Sequence, residues 1–90
     1  MDAFEALADP TRRRILEMLA ERELAAGEIA RRFDMTPPAV SQHLKILRTA
    51  CLVRVRNEAQ RRMYALDPSG LADIDTWLTR HRRFRNEHLG

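Results

Sequence analysis

The chain has 90 residues, of which 44% are hydrophobic and 32% are charged, and its formal net charge is +3. This length predicts a single domain over residues 1–90, with a core small enough that self-association would stabilise it appreciably. No apolar run approaches the roughly 20 residues of a membrane span and no basic, apolar leader is visible, so the sequence predicts a cytoplasmic protein with no membrane partner.

The positive charge is concentrated in the middle third of the chain. Residues 36–66 contain six basic side chains and one acidic side chain, Glu58, and no acid occurs from Thr36 to Val55. Such a local excess of positive charge is typical of a surface that binds nucleic acid. A compositional preference for arginine would account for the 15 arginines of the chain, but not for the missing acids.

Two helices are predicted at the start of the chain. Phe4 and Leu7 lie on one side of a short first helix, which ends before Pro10 because the residue before a proline is disfavoured in the helical region. Asp9 caps the second helix, and the proline after it suits the first helical position. The three arginines at residues 12–14 are expected to form a solvated face that pairs with nearby acids, and a phosphate contact is the alternative.

A third helix, a turn and a fourth helix follow in close succession. The spacing of Ile29 and Phe33 predicts a helix over residues 26–33, residues 34–36 form a turn, and Thr36 caps the next helix. Two helices joined in this way form a helix-turn-helix, whose second helix enters the major groove of DNA.

The fourth helix has one apolar face and one polar, cationic face. At about 100° per residue, Val40, Leu44 and Leu47 lie together, while Gln42 and Lys45 lie on the opposite side. An ordinary surface helix usually carries pairs of glutamate and lysine on that side. We therefore predict a DNA recognition helix, in which the Gln42 amide can pair with the edge of an adenine.

After residue 50 the helical spacing of apolar residues gives way to alternation. Residues 52–56 alternate apolar side chains with Arg54 and Arg56, and residues 61–66 return as a second strand after a turn at residues 57–60. The sequence thus predicts a two-stranded hairpin, a wing, whose outer face and tip are basic.

The last helix, which begins at residues 67–69, carries an apolar stripe at three- and four-residue spacing. Because this stripe is too apolar for solvent, we predict that it forms a dimer interface together with the first helix. The alternative is that the stripe folds back on its own core. The predicted interface residues are Phe4, Leu7, Leu71, Ile74, Trp77, Leu78, His81 and Phe84.

Taken in order, these motifs resemble those of the ArsR/SmtB family of bacterial winged-helix repressors. The matching segments are residues 7–16 (LADPTRRRIL), 27–30 (GEIA), 38–48 (PAVSQHLKILR) and 52–53 (LV). The tail from residue 64 to residue 78 further resembles the autorepressor-like branch of the family. The resemblance implies a mainly α winged helix-turn-helix with a small β-hairpin, a homodimer through its first and last helices, and repression of transcription from an imperfect palindrome of double-stranded DNA.

The resemblance also implies roles for individual residues. It places Gln42 at the position that reads base edges, with Ser41 beside it, and the wing arginines on phosphates. His43 lies at the border of the core face, where a packed structural role is the alternative. The predicted DNA-binding residues are Thr36, Pro38, Ala39, Ser41, Gln42, His43, Lys45, Arg48, Arg54, Arg56, Arg61 and Arg62.

The chain departs from the family's pattern at its metal sites and at two glycines. Ala25 and Gly27 stand where the family's thiolate site has cysteines, and Trp77 stands where its interface site needs a histidine, so we predict no metal and no cofactor. Cys51 and Ala59 stand where glycine is usual, which predicts strained or altered turns. A buried, inert cysteine is expected, and a redox-sensing disulfide across the dimer is the alternative.

Other classes of function fit the sequence less well. An enzyme is disfavoured because no triad or metal-ligand spacing occurs, and Ser41 and His43 face different ways on one helix. The alternatives to a DNA-binding regulator are a winged-helix protein-interaction module and a redox- or metal-responsive sensor of the same fold. An interaction module would not need the acid-free segment or the basic wing. The sequence does not identify an inducer.

Overall fold

The structure, a computed structural model, describes residues 2–83. The described elements are α1 (Ala3–Leu7), α2 (Pro10–Glu21), β1 (Leu24–Ala25), α3 (Ala26–Arg31), α4 (Pro37–Thr49), β2 (Val53–Glu58), β3 (Arg61–Leu66) and α5 (Pro68–Arg80). Phe84, which was predicted in the dimer interface, lies outside the described residues. None of the helices described is long and apolar enough to cross a membrane.

Side-chain caps begin the longer helices, as the sequence predicts. Asp9, Thr36 and Asp67 each accept a hydrogen bond from a backbone amide in the first turn of α2, α4 and α5, at 3.0, 3.3 and 3.0 Å. Each cap is followed by a proline, whose missing N–H would have no partner inside the helix in any case. The starts of these helices are therefore set by local sequence.

The core lies between α2, α3 and α4 and the inner face of the sheet. It includes Ile15, Leu24, Ile29, Val40, Leu44, Leu47, Leu52 and Val53, each at most 2% exposed. Three of these residues form the predicted apolar face of α4, so the opposite face of that helix is directed to solvent. The predicted orientation of α4 in the core is confirmed.

The sheet has three strands rather than the two predicted. Its order is β1-β3-β2, and the short β1 pairs Leu24 with Tyr64 and Ala25 with Met63 in antiparallel register. The sequence did not indicate β1 because two residues are too few to show an alternating pattern. Its pairing fixes β3 against the start of α3, and thereby positions the wing.

Arg13 and Arg14 are exposed, as predicted, but among the residues described no ion pair joins the arginines at residues 12–14 to an acid, so the predicted pairing was wrong. The Arg12 Nε donates to the Ala6 carbonyl at 2.7 Å, and an Arg13 amino group donates to the Leu7 carbonyl at 2.7 Å. They satisfy carbonyl groups that the last turn of α1 leaves without intrahelical partners. The arginines therefore join α1 to α2.

The two residues that replace glycine both adopt left-handed backbone conformations. Cys51 has φ +59° and Ala59 has φ +55°, so the turns keep the geometry that glycine would favour. The Cys51 side chain is exposed, and the expectation of a buried cysteine was wrong. The wing turn is shorter than predicted, because β2 and β3 leave only Ala59 and Gln60 between them.

Candidate nucleic-acid interface

The outer face of α4 is exposed along its whole length. Most of the predicted residues on it are solvent-accessible, and Ala39 is half-buried. The exposed members are Thr36, Pro38, Ser41, Gln42, Lys45 and Arg48. This surface is held rigidly, because the opposite face of α4 is anchored in the core. It carries no acidic side chain.

Arg62 of the wing lies on the same side of the molecule as the outer face of α4. It lines a cleft of ≈ 520 Å³ together with Ser41, Lys45, Arg48 and Tyr64. Its guanidinium carbon is 5.8 Å from the centre of the Tyr64 ring, within the range of a cation–π contact. Three cationic side chains thus surround one cleft between the recognition helix and the wing.

The other wing arginines project from the opposite face of the hairpin. Alternation along β2 and β3 puts Arg54, Arg56 and Arg61 on one side and Arg62 on the other. Arg56 pairs with Glu23 at 2.9 Å and with Glu58 at 3.2 Å. The structure does not bring Arg54 and Arg56 together with the cationic face of α4, whereas Arg61, at the end of the hairpin, lines a cleft with Arg31 and Arg62.

His43 is directed towards the start of α2 and away from the outer face of α4. Its Nδ1 is buried, has no hydrogen-bond partner among residues 2–83, and lies 3.9 Å from a carboxylate oxygen of Asp9. The hydrogen bond from the Arg12 amide lowers the pKa of Asp9, and the neighbouring imidazole acts in the same direction. This geometry supports the packed structural role of His43.

Arg31 was missed by the sequence prediction. It is an exposed residue in the last turn of α3 and lines a cleft with Pro37 and Ser41 at the start of α4. It also lines a second cleft with Arg61 and Arg62. Its place at the end of the first helix of a helix-turn-helix is the signal that could have identified it, because that helix crosses the DNA backbone.

The predicted dimer face divides into an exposed part and a packed part. Phe4, Leu71, Trp77 and Leu78 are 37–48% exposed, which is unusual for such large apolar side chains. The Phe4 and Trp77 rings meet edge to face at 6.2 Å, and Trp77 stacks on His81 at 4.2 Å. Two further members, Leu7 and Ile74, are half-buried and pack against the core of their own protomer.

The described part of the chain holds no metal cluster. Over residues 2–83, no group of three or more histidine, cysteine, aspartate or glutamate side chains is close enough to hold a metal ion.

Comparison with known proteins identifies the family. Residues 9–55, more than half of the chain, match the family described as "Bacterial regulatory protein, arsR family". The chain belongs to the ArsR family. The matched segment runs from the cap of α2 to the middle of β2 and therefore includes the whole helix-turn-helix.

Individual ArsR relatives support the same identification. The HTH-type transcriptional regulator Rv2034 of Mycobacterium tuberculosis is 56% identical over 78 residues, which are 87% of this chain and 73% of that protein. The transcriptional repressor SdpR of Bacillus subtilis is 36% identical over 77 residues, which are 86% of each chain. The protein is thus a transcriptional regulator with a helix-turn-helix DNA-binding domain, and not an enzyme.

A solved structure of a possible ArsR-family regulator shows the same fold. The homodimeric winged helix-turn-helix domain of Mb0332 from Mycobacterium bovis superposes with a TM-score of 0.70 and 30% sequence identity, covering 98% of this chain and 79% of that one. The fold, mainly helical with a small antiparallel sheet, is therefore that of a winged helix-turn-helix regulator.

Proposed function

We propose that the protein is a dimeric repressor that binds an imperfect palindrome of double-stranded DNA. Each protomer inserts α4 into a major groove, and repression follows because the bound dimer blocks transcription. The observation that carries this proposal is the acid-free outer face of α4, which is exposed from Thr36 to Arg48 and joined by Arg62 of the wing. A duplex offers the matching polyanion, and its major groove admits an α-helix.

Some residues of the outer face of α4 read bases, and others contact phosphates. Gln42 is exposed in the middle of α4, and its amide can donate to and accept from an adenine edge. Lys45, Arg48 and Arg62 are the phosphate contacts, because they surround one cleft from two elements. The small or capping residues Thr36, Pro38, Ala39 and Ser41 let the helix approach the groove closely.

The apolar patch formed by Phe4, Leu71, Trp77 and Leu78 supports the dimer. Large exposed apolar side chains that lie together mark an interaction surface in a small soluble protein. A second copy is the partner that we propose, because two recognition helices related by a two-fold axis match a palindrome. The relatives agree with this proposal, since one is named a repressor and another a homodimeric domain.

The proposal is tested by recovering the operator and measuring specificity. Genomic DNA fragments retained by the purified protein are sequenced, and the affinity for the enriched duplex and for a scrambled duplex is measured at several salt concentrations. We expect the affinity for both to fall steeply with salt, since each phosphate contact releases counterions. Failure to enrich any palindrome, or a duplex affinity that salt does not change, would contradict the proposal.

The role of Gln42 has its own test. Gln42→Ala is expected to weaken operator binding by about tenfold or more, since a bidentate base contact is worth roughly 1–3 kcal/mol and about 1.4 kcal/mol is tenfold. Binding to scrambled DNA and dimerisation should stay unchanged. An equal loss of affinity for both duplexes would exclude Gln42 as a base reader. Glu17→Gln, on the exposed surface of α2, serves as the control substitution.

A further inference from the structure

A second cleft lies beside the recognition helix, between α3 and the wing. It has a volume of ≈ 340 Å³ and is lined by three arginines, Arg31, Arg61 and Arg62, as well as by Gly27 and Glu28. One amino group of Arg31 lies 3.6 Å from the position that a Cβ would occupy on Gly27. The Arg31 side chain therefore folds back along α3, towards the wing.

The Glu28 carboxylate is the acidic group in this cleft. Its Oε1 accepts hydrogen bonds from an Arg61 amino group at 2.7 Å and from the Ala25 amide at 3.0 Å. The Ala25 amide has the largest effect in lowering the pKa of Glu28, and the charges of Arg61, Arg22 and Arg31 act in the same direction. Glu28 thus holds the wing against the start of α3 while it remains ionised.

This cleft is continuous with the face of α4. Arg62 lines both this cleft and the one beside Lys45 and Arg48. Arg31 and Gly27 line both this cleft and the one that reaches Ser41 at the start of α4. The arginines between α3 and the wing are therefore within the same continuous surface as the outer face of α4.

We propose that the cleft between α3 and the wing binds a backbone phosphate of the DNA, and that the Glu28 carboxylate holds Arg61 until this phosphate replaces it. This inference rests on the proposed function and adds Arg31 and Arg61 to its phosphate contacts. A carboxylate and a phosphate offer a guanidinium the same charge-assisted hydrogen bonds, so one can replace the other.

The ion pair between Arg61 and Glu28 is weak enough for a phosphate to replace the carboxylate. The Arg61 side chain is 57% exposed, and exposed ion pairs contribute little to stability. After the exchange, Glu28 stays beside the phosphate and repels it, whatever the base sequence. Glu28 therefore limits the affinity for all DNA, whereas the base contacts of α4 set the preference for the operator.

Charge-neutral substitution of Glu28 is the decisive test. Glu28→Gln keeps an oxygen that can accept the Ala25 hydrogen bond but removes the negative charge. We expect the affinity for operator and scrambled duplexes to rise by at least about threefold, because the phosphate no longer has to displace a carboxylate and lie beside it. Arg31→Ala should weaken binding to both duplexes. It should also reduce the salt slope, which is the slope of log affinity against log salt concentration, by about one phosphate contact.

Glu23→Gln is the matched control. It makes the same change in charge and releases Arg56, which lines a separate cleft with Arg54 and Met63. We expect DNA affinity to change by less than about twofold, since Arg56 lies away from the phosphate path. An equal rise for Glu28→Gln and Glu23→Gln would show a general charge effect and overturn the proposal.

Two further results separate the possible failures. If the wild-type protein binds DNA but Glu28→Gln and Arg31→Ala leave affinity and salt slope unchanged, the cleft is not a phosphate site, although the proposed function stands. If the wild-type protein binds no duplex, the proposed function itself fails. Circular dichroism establishes that each variant is folded, and Arg31→Ala alone decides the question if Glu28→Gln does not fold.

Inorganic phosphate distinguishes a free anion from the DNA backbone. Thermal unfolding of the DNA-free protein is compared in phosphate and in chloride at equal ionic strength. We expect no stabilisation by phosphate, because a single free anion gains none of the contacts that the duplex makes with α4. Stabilisation that Arg31→Ala abolishes would assign the cleft to a free anion and overturn the backbone-phosphate assignment.

Discussion

The carbonyl oxygen of Cys51 accepts a hydrogen bond from the Gly70 amide at 2.8 Å. The left-handed conformation of Cys51 ends α4 in a Schellman motif, in which Leu52 N–H donates to the Leu47 carbonyl and Cys51 N–H donates to the Arg48 carbonyl. The same conformation turns the Cys51 carbonyl towards the first turn of α5. One residue therefore ends the recognition helix and fixes the start of the helix that carries Trp77.

Gly70→Ala should destabilise the protein, because a Cβ on residue 70 would lie 2.5 Å from the Cys51 carbonyl oxygen. Since the contact is with backbone, α5 or the turn must move, and we expect a loss of about 1–3 kcal/mol. Thermal unfolding measures this as a fall of several degrees. Gly27→Ala is the control, because its Cβ would meet only the end of Arg31 at 3.6 Å. An equal effect of both substitutions would contradict the role of Gly70.

Cys51→Gly should stabilise the protein, because φ +59° is strained for any residue with a Cβ. The expected gain is about 1 kcal/mol, or a rise in Tm of roughly 4–8 °C for a domain of this size. The control is Ala20→Gly, at an exposed position of α2, where glycine should instead cost about 0.5–1 kcal/mol. If Cys51→Gly does not raise Tm, the left-handed conformation of Cys51 is not strained.

Local signals predicted the helices of this fold well. The caps at Asp9, Thr36 and Asp67, each followed by proline, mark the starts of α2, α4 and α5, since capping depends on residues within one turn. The periodicity of α4 predicted which face is buried. These features could be read from the sequence because the physical causes are adjacent in the chain.

Features that depend on distant contacts could not be predicted in the same way. β1 exists only through pairing with Tyr64 and Met63, and Arg61 meets Glu28 across 33 positions of the chain. The adjacency of Arg61 and Arg62 did contain an unused signal, because neighbouring residues of a strand point to opposite faces. The wing arginines could therefore have been divided into two groups from the sequence.

Arg62→Ala should weaken DNA binding more than Arg56→Ala. Arg62 shares a cleft with Lys45 and Arg48, whereas Arg56 pairs with Glu23 on the other face of the wing. We expect Arg62→Ala to lower the affinity for operator and scrambled duplexes and to reduce the salt slope by about one contact. Fluorescence anisotropy at several salt concentrations measures both quantities. Similar losses for the two variants would show that both faces of the wing meet DNA.

The stability of the protein should fall in acid, in part through Asp67. A hydrogen bond from the backbone amide of Ser69 has the largest effect in lowering the pKa of Asp67 from its ordinary value of 3.8. A hydrogen bond from the Ser69 hydroxyl acts in the same direction. Because the folded-state pKa is the lower one, this contribution is complete above the ordinary value and is lost as the pH falls through the folded value. Asp9 and Glu28 also have lowered pKa values and act in the same direction.

Asp67→Asn isolates this contribution, because asparagine is also a good N-cap but does not titrate. The difference in Tm between the wild-type protein and the variant should be constant from about pH 7 down to about pH 5, and should shrink as the pH approaches about 3. Thermal unfolding followed by circular dichroism gives both curves. A difference that stays constant over the whole range would show that the Asp67 carboxylate contributes nothing through its charge.

Trp77→Ala should weaken dimerisation without unfolding the protomer. Trp77 is 48% exposed and contacts Phe4 and His81 at the surface, so its ring contributes little to the core of its own chain. Buried aromatic side chains dominate the energy of interfaces, and we expect the dimer Kd to rise by roughly tenfold or more. Sedimentation equilibrium measures this Kd, and circular dichroism follows the fold. Thr76→Ala, at an exposed neighbouring position, should leave the dimer intact. An unchanged Kd for Trp77→Ala would place the interface elsewhere, and a monomeric wild-type protein would contradict the proposed dimer itself.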